Sequence, residues 1–247
     1  MSIATEIQRL QNAKSNIKTA IENKGVEVGN GTIDTYAEKI GEISVGGGLE
    51  IERNAKSMTF KTLNFFGKSK VVLNLDNVTT LQNCFLAETA EDTNTIVEHL
   101  TVNCLNLITG MSAAFRSLGA YDYTLKHITL NAKIKDGSTW NYCFAGLKAL
   151  EVIGGEPLNF LNSAMANIFQ QDTELKEFRV VENSINKNFN MVQCPNLSDE
   201  TIQSIIDGLA DLTGGTAQTL TLSSTVGNKL TDTQKAIITA KNWTLAY

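Results

Sequence analysis

A short apolar ladder recurs along this chain at a near-constant step, and that step limits the fold more than any other feature. Leu125-x-x-Ile128-x-Leu130, Leu150-x-x-Ile153 and Leu175-x-x-Phe178-x-Val180 start 25 residues apart, and Val97-x-x-Leu100-x-Val102 begins 28 residues before the first of them. Degenerate copies stand at either end, Leu73-Asn74-Leu75 with Val78 and Leu81, and Leu220-Thr221-Leu222. A fixed period in the twenties predicts a solenoid, in which each unit buries its apolar side only against its neighbours. Such a stack offers a long surface of side chains, so a binding or structural role ranks ahead of catalysis.

The spacing also predicts which side chains face outward, because successive residues of a strand alternate between faces. Aligning the ladders gives one outward row of Asn74, Thr101, Thr129, Arg179 and Thr221, and a second of Val72, His99, His127, Val152, Glu177 and Thr219. The chain's two histidines, His99 and His127, then fall on neighbouring rungs about 5 Å apart. They read either as a metal or pH-sensitive pair or as a coincidence of register on a polar face; two imidazoles without a third ligand bind zinc weakly. Tyr121, Tyr123, Tyr142 and Trp140 join the candidate ligand surface, since aromatics with a polar tip suit protein interfaces and sugar faces. Inside the stack, Phe115, Phe144, Phe169 and Met191 are expected to form one column of core. The inserted segments Glu88 to Thr95 and around Tyr121 are expected to be variable loops.

No nucleophile stands beside a histidine and an acid, and neither a G-x-S-x-G elbow nor a phosphate loop occurs. Gly29-Asn30-Gly31 and Gly154-Gly155 read as turns, and no catalytic, cofactor-binding or metal residue is assigned. The net charge of −5 carries no basic cluster to invite nucleic acid, and no apolar run reaches the roughly 20 residues of a membrane span. The opening residues lack the layout of a signal peptide, so the expectation is release by lysis or within a particle. Cys84, Cys104, Cys143 and Cys194 form no C-x-x-C pair and read as buried thiols, with Cys84-Phe85 and Cys143-Phe144 at one equivalent position.

The two ends follow helical periods. Ile3, Ile7, Leu10, Ile17 and Ile21 make one stripe of a helix over 3–24, filling a and d positions of three heptads. A second helix with Ile33, Tyr36, Ala37, Ile40 and Ile43 is expected after Thr32 as N-cap. These helices read either as a self-contained hairpin or as an oligomerisation seam; so small a hairpin has little core, which favours association, most simply as a homotrimer. The organisation expected is a helical attachment module over 1–45, a glycine joint over 46–49, a β-rich body over 50–197 and a helix–strand cap over 198–247. Within the cap, Ser198 and Thr231 are expected N-caps, with the first helix closed by Gly214-Gly215.

Two segments carry a resemblance. Ile7-Gln-Arg-Leu-Gln-Asn-Ala-Lys14, Ile17-Lys-Thr-Ala-Ile-Glu-Asn-Lys-Gly-Val26 and Ile33-Asp-Thr-Tyr-Ala-Glu-Lys-Ile-Gly-Glu-Ile43 resemble the N-terminal module of tail and fibre proteins of tailed bacteriophages of Gram-positive hosts. Asn196-Leu-Ser-Asp-Glu-Thr-Ile202, Leu209-Ala-Asp-Leu-Thr-Gly-Gly-Thr-Ala-Gln-Thr-Leu-Thr-Leu222 and Lys241-Asn-Trp-Thr-Leu-Ala246 are similar to the C-terminal block of BspA-like leucine-rich-repeat proteins of such phages. The resemblance implies an α+β chain: a β-rich leucine-rich-repeat solenoid on an N-terminal α-helical anchor, irregular because the strict asparagine position is not kept. It implies a virion component whose helices attach to other virion proteins and whose exposed body meets a host cell-surface glycan or protein. Alternatives are a decoration protein without a receptor and, third, a glycan-cleaving tail enzyme. The family supplies no catalytic residue to carry over.

Overall fold

The computed structural model describes residues 3–22, 28–29, 32–36, 70–75, 78–85, 97–117 and 124–247. It separates into two units, Met1–Glu50 and Ile51–Tyr247. The glycine joint, the insertion from Glu88 to Thr95, and the second helix beyond Tyr36 lie outside the described residues. The chain is α+β, with an N-terminal helix and two parallel sheets.

In the first unit, helix α1 (Ile3–Glu22) follows the predicted stripe. Only its end is covered: Ile21 forms a small cluster with Val28 and Tyr36, and the Lys18 ammonium donates to the Gly29 carbonyl. Thr32 holds the N-cap position of a 3-10 turn, Ile33–Thr35, but its side chain makes no cap bond. The turn is held instead through its carbonyl, which accepts from the Thr35 N–H at 3.1 Å.

The second unit contains a four-stranded parallel sheet, β1 (Lys70–Asn74), β2 (His99–Asn103), β3 (His127–Asn131) and β4 (Val152–Gly155), ordered as in the sequence. Val71, Leu100, Ile128 and Ile153 are partners along one rung and are all buried; Leu73, Val102 and Leu130 form the next buried rung. Each such side chain contributes about 1.5–3 kcal/mol on burial, and alternation sends the intervening residues outward. Just before the strands, Lys126 donates to Glu98, Glu151 to Lys126 and Lys176 to Glu151 through backbone N–H groups at 2.8–2.9 Å. Leu125, Leu150 and Leu175, each fully buried, therefore follow one another along a single ladder.

Opposite the strands runs a column of rings. Phe85, Phe115, Phe144 and Phe169 stack with centroids 5.1, 5.5 and 5.6 Å apart. Two residues before each, Asn83, Ala113, Tyr142 and Asn167 take φ of 57°, 51°, 56° and 54°. A left-handed backbone at a non-glycine residue costs of order 1 kcal/mol. It turns the chain so that Phe85, Phe115 and Phe144 each donate a backbone bond across to Ala114, Cys143 and Ile168. Gly146 (φ 86°) is needed for a further reason: a Cβ there would strike the Ser117 carbonyl.

Met191 does not continue this column. Its carbonyl accepts from Cys194 N–H as Leu81 and Trp140 accept from Cys84 and Cys143, which makes it the counterpart of Trp140. The last turn is shorter: Cys194 precedes Leu197 by 3 residues, whereas Cys143 precedes Leu150 by 7, so counting back from the leucine misplaces it. All four cysteines are buried, and no disulfide joins them.

The second sheet is β5 (Phe189–Met191), β6 (Gln218–Leu222) and β7 (Trp243–Ala246), again parallel and in chain order. Helix α2 (Asp199–Gly208) starts where Ser198 Oγ accepts the Thr201 N–H, and buries Ile202, Ile205 and Ile206. It stops at Gly208 rather than Gly214-Gly215, because Leu209 becomes extended and bridges Ile185. A Cβ at Gly208 would overlap Val180, so the close approach requires glycine. A helix that the sequence did not suggest, α3 (Ser224–Lys229), is capped by Ser223. Helix α4 (Asp232–Ala240) carries the expected capping box between Thr231 and Gln234.

Candidate ligand surface

The outward face of β1–β4 is built from three rows that cross the strands. The first is Lys70, His99, His127 and Val152; the second is Val72, Thr101, Thr129 and Gly154; the third is Asn74, Asn103 and Asn131. The expected rows are therefore right for β2 and β3 and displaced by two residues on β1. Val71, Leu73 and Leu75 are all apolar and alternate, and a two-residue slip keeps the same face inward. Hydrophobic periodicity cannot separate the two registers; the asparagines do. Asn103 Nδ2 donates to Asn74 Oδ1 at 2.7 Å, and Asn131 Nδ2 to Asn103 Oδ1 at 2.8 Å, a ladder available only in the observed pairing.

His99 and His127 are brought together as the spacing predicts, with ring centroids 4.4 Å apart and planes 8° from parallel. Burial pushes the His99 imidazole below its ordinary value, and the neighbouring His127 and Lys70 add to the shift. Below the pair, Lys176 Nζ meets Glu151 Oε2 at 2.6 Å and holds that carboxyl below the usual range. Among the described residues no group of three or more His, Cys, Asp or Glu is placed to hold a metal ion. The face presents threonine hydroxyls and asparagine amides beside two stacked imidazoles, with Lys70 and the exposed Val72 at its β1 edge.

The other candidates divide. Arg179 is exposed and donates from Nη2 to the Gly155 carbonyl at 2.7 Å, which ties it to the end of β4. Thr221 and Thr219 belong to the second sheet, where Thr221 faces Asn190 and Thr219 faces Thr244. Gly154-Gly155 ends strand β4 rather than forming a separate turn. Tyr121 and Tyr123 lie outside the described residues. Trp140 is not a surface residue: it is fully buried, edge-on to Phe160 at 5.0 Å, with its indole N–H donating to the Asn159 carbonyl at 3.1 Å. That bond satisfies its polar atom, so burial costs nothing unpaired. Tyr142 stays partly exposed with the Arg116 guanidinium 4.3 Å from its ring centre.

On α1, Ile3, Ile7, Leu10 and Ile17 are 81%, 50%, 54% and 40% exposed, an apolar stripe that no described residue of the first unit covers. Ile21 leaves the proposed seam, since it is buried against Val28 and Tyr36.

The sequence reading missed the asparagine ladder, although Leu100-Thr-Val-Asn103 and Ile128-Thr-Leu-Asn131 both end in the residue concerned. Comparison of the chain with protein-family models, curated proteins and solved structures finds no match.

Proposed function

We propose that the chain is a BspA-like leucine-rich-repeat solenoid on an α-helical anchor, acting as a phage tail-fibre or receptor-binding protein for a host cell-surface ligand. The observation that carries the reading is the outward sheet face. His99 beside His127, Thr101 beside Thr129 and Asn103 beside Asn131 place matched polar groups in register over neighbouring strands. Register of this kind suits an extended ligand met by many weak contacts. The solenoid reading is supported by ladder partners 29 and 28 residues apart along the asparagines and by the stacked phenylalanines.

The anchor reading is supported by the exposed stripe of α1. A helix of three heptads is marginal in water by itself, and its exposed isoleucines and leucine suit the seam of a homotrimer or a groove on another virion protein. Three copies on one particle would raise avidity without new contacts. The reading includes no catalytic step, cofactor or membrane insertion, and it locates the chain on the particle surface.

The test is immunogold imaging of phage particles from a producing lysate with antibody against the full chain. Label at the distal end of the tail is the expected result. Label confined to the capsid favours a decoration protein, and particles without label overturn the virion reading.

A further inference from the structure

A second surface feature lies apart from the β1–β4 face. Successive turns and the end of the second sheet frame an open groove of about 680 Å³, within the range of small-molecule sites. Its lining is apolar at Val192, Pro195 and Leu222 and polar at Lys148, Gln171, Gln193 and Thr225. Tyr247 closes one end: its ring lies so near Gly227 that a Cβ there would overlap it, yet half of the residue remains exposed.

The polar lining is pre-ordered. Gln193 Oε1 accepts the Gln171 N–H at 2.6 Å, which leaves the Gln193 NH₂ as a donor. Gln171 itself has φ of 68°, at the position two residues after the stacked phenylalanine where the preceding turn has Gly146. A long side chain held in the left-handed region is a cost that persists only where surroundings fix it. Lys148 has no carboxylate within ion-pair distance among the described residues.

We propose that this groove binds a short oligosaccharide bearing an acidic group. Tyr247 stacks on a sugar ring, the glutamine amides and Thr225 hydroxyl bond to hydroxyls, and Lys148 meets the acid. Sugars present alternating C–H faces and hydroxyls, which match an aromatic platform beside neutral amides. Lys148 is the one cation among the lining residues, with Lys235 Nζ 5.8 Å from the Tyr247 ring centre; that is too few for a polyphosphate, and the groove is open rather than a deep apolar pocket of the kind that anchors a peptide. The inference concerns the isolated chain and does not depend on its carriage by a virion.

The test is a printed array of neutral and acidic oligosaccharides probed with the labelled full-length chain. Retention on acidic glycans is expected, with Lys148→Gln lowering that signal about tenfold while leaving neutral relatives unchanged. Tyr247→Ala is expected to abolish both. Lys148 is a surface residue, so its variant keeps the result interpretable should Tyr247→Ala fold poorly. Lys133→Gln removes an exposed lysine that does not line the groove and is expected to bind as the unmodified chain does; an equal loss of signal there would make the Lys148 effect one of overall charge and overturn the proposal. An array without retained spots, or signals unmoved by Lys148→Gln and Tyr247→Ala, also overturns it. Failure of the chain to bind whole cells would count against receptor attachment and leave the array result standing.

Discussion

His99 and His127 stand face to face on neighbouring strands, 4.4 Å between ring centres. Protonating one ring places charge against the other, and His99 is already held below its ordinary value by burial, then by His127 and Lys70. A histidine with a lowered folded pKa contributes stability that is complete above its unfolded pKa and is lost as pH falls through the folded one. NMR titration is expected to give a His99 midpoint below that of a free histidine, moving upward in His127→Ala. An unmoved midpoint would mean that the rings are not coupled.

Asp172 has no exposed surface; Oδ1 accepts the Leu147 N–H at 2.9 Å, and Oδ2 makes no hydrogen bond within 3.5 Å among the described residues. Burial pushes its pKa well above the carboxylate range. The folded chain then keeps a proton that the unfolded chain releases, so stability is full below the unfolded pKa and falls as pH rises, by up to about 1.4 kcal/mol per pH unit. Asp172→Asn is expected to match the unmodified chain in acid and to exceed it at neutral pH in denaturant melts. Parallel curves would contradict this.

Lys241 gathers the end of α2, donating to the carbonyls of Ile206, Asp207 and Leu209 at 3.1, 3.3 and 2.7 Å. All three ammonium hydrogens are used on carbonyls at the helix end, where intrahelical donors run out. Lys241→Met keeps the stem and is expected to cost about 1–3 kcal/mol in urea unfolding.

How much of this was legible depended on what each feature needs. The strands β2 to β4 and their inward residues follow from alternation, and the caps at Ser198 and Thr231 follow from local side-chain chemistry. The register of β1 did not, because the apolar pattern fits two alignments and only the Asn74–Asn103 contact decides. Trp140 was misjudged for a similar reason: an indole looks the same in sequence whether its N–H meets solvent or the Asn159 carbonyl. The groove gathers Lys148, Gln193 and Tyr247 from distant stretches, and no local pattern marks it.

The α1 stripe leads to an assembly prediction. Light scattering is expected to give a trimer for the full chain, and Ile7→Asp with Ile17→Asp, two exposed seam positions, is expected to give a monomer with an unchanged far-ultraviolet signal from the second unit. An unmodified chain that stays monomeric at high concentration would favour docking to a different protein.

Attachment through the outward face of β1–β4 is tested most directly by sedimenting the full chain with whole cells of a panel of Gram-positive bacteria. The chain is expected to co-sediment with at least one strain. Thr101→Lys with Thr129→Lys, which crowds adjacent positions of the face, is expected to lower that binding at least tenfold. Binding to none of the strains, or binding untouched by the double variant, would contradict the account.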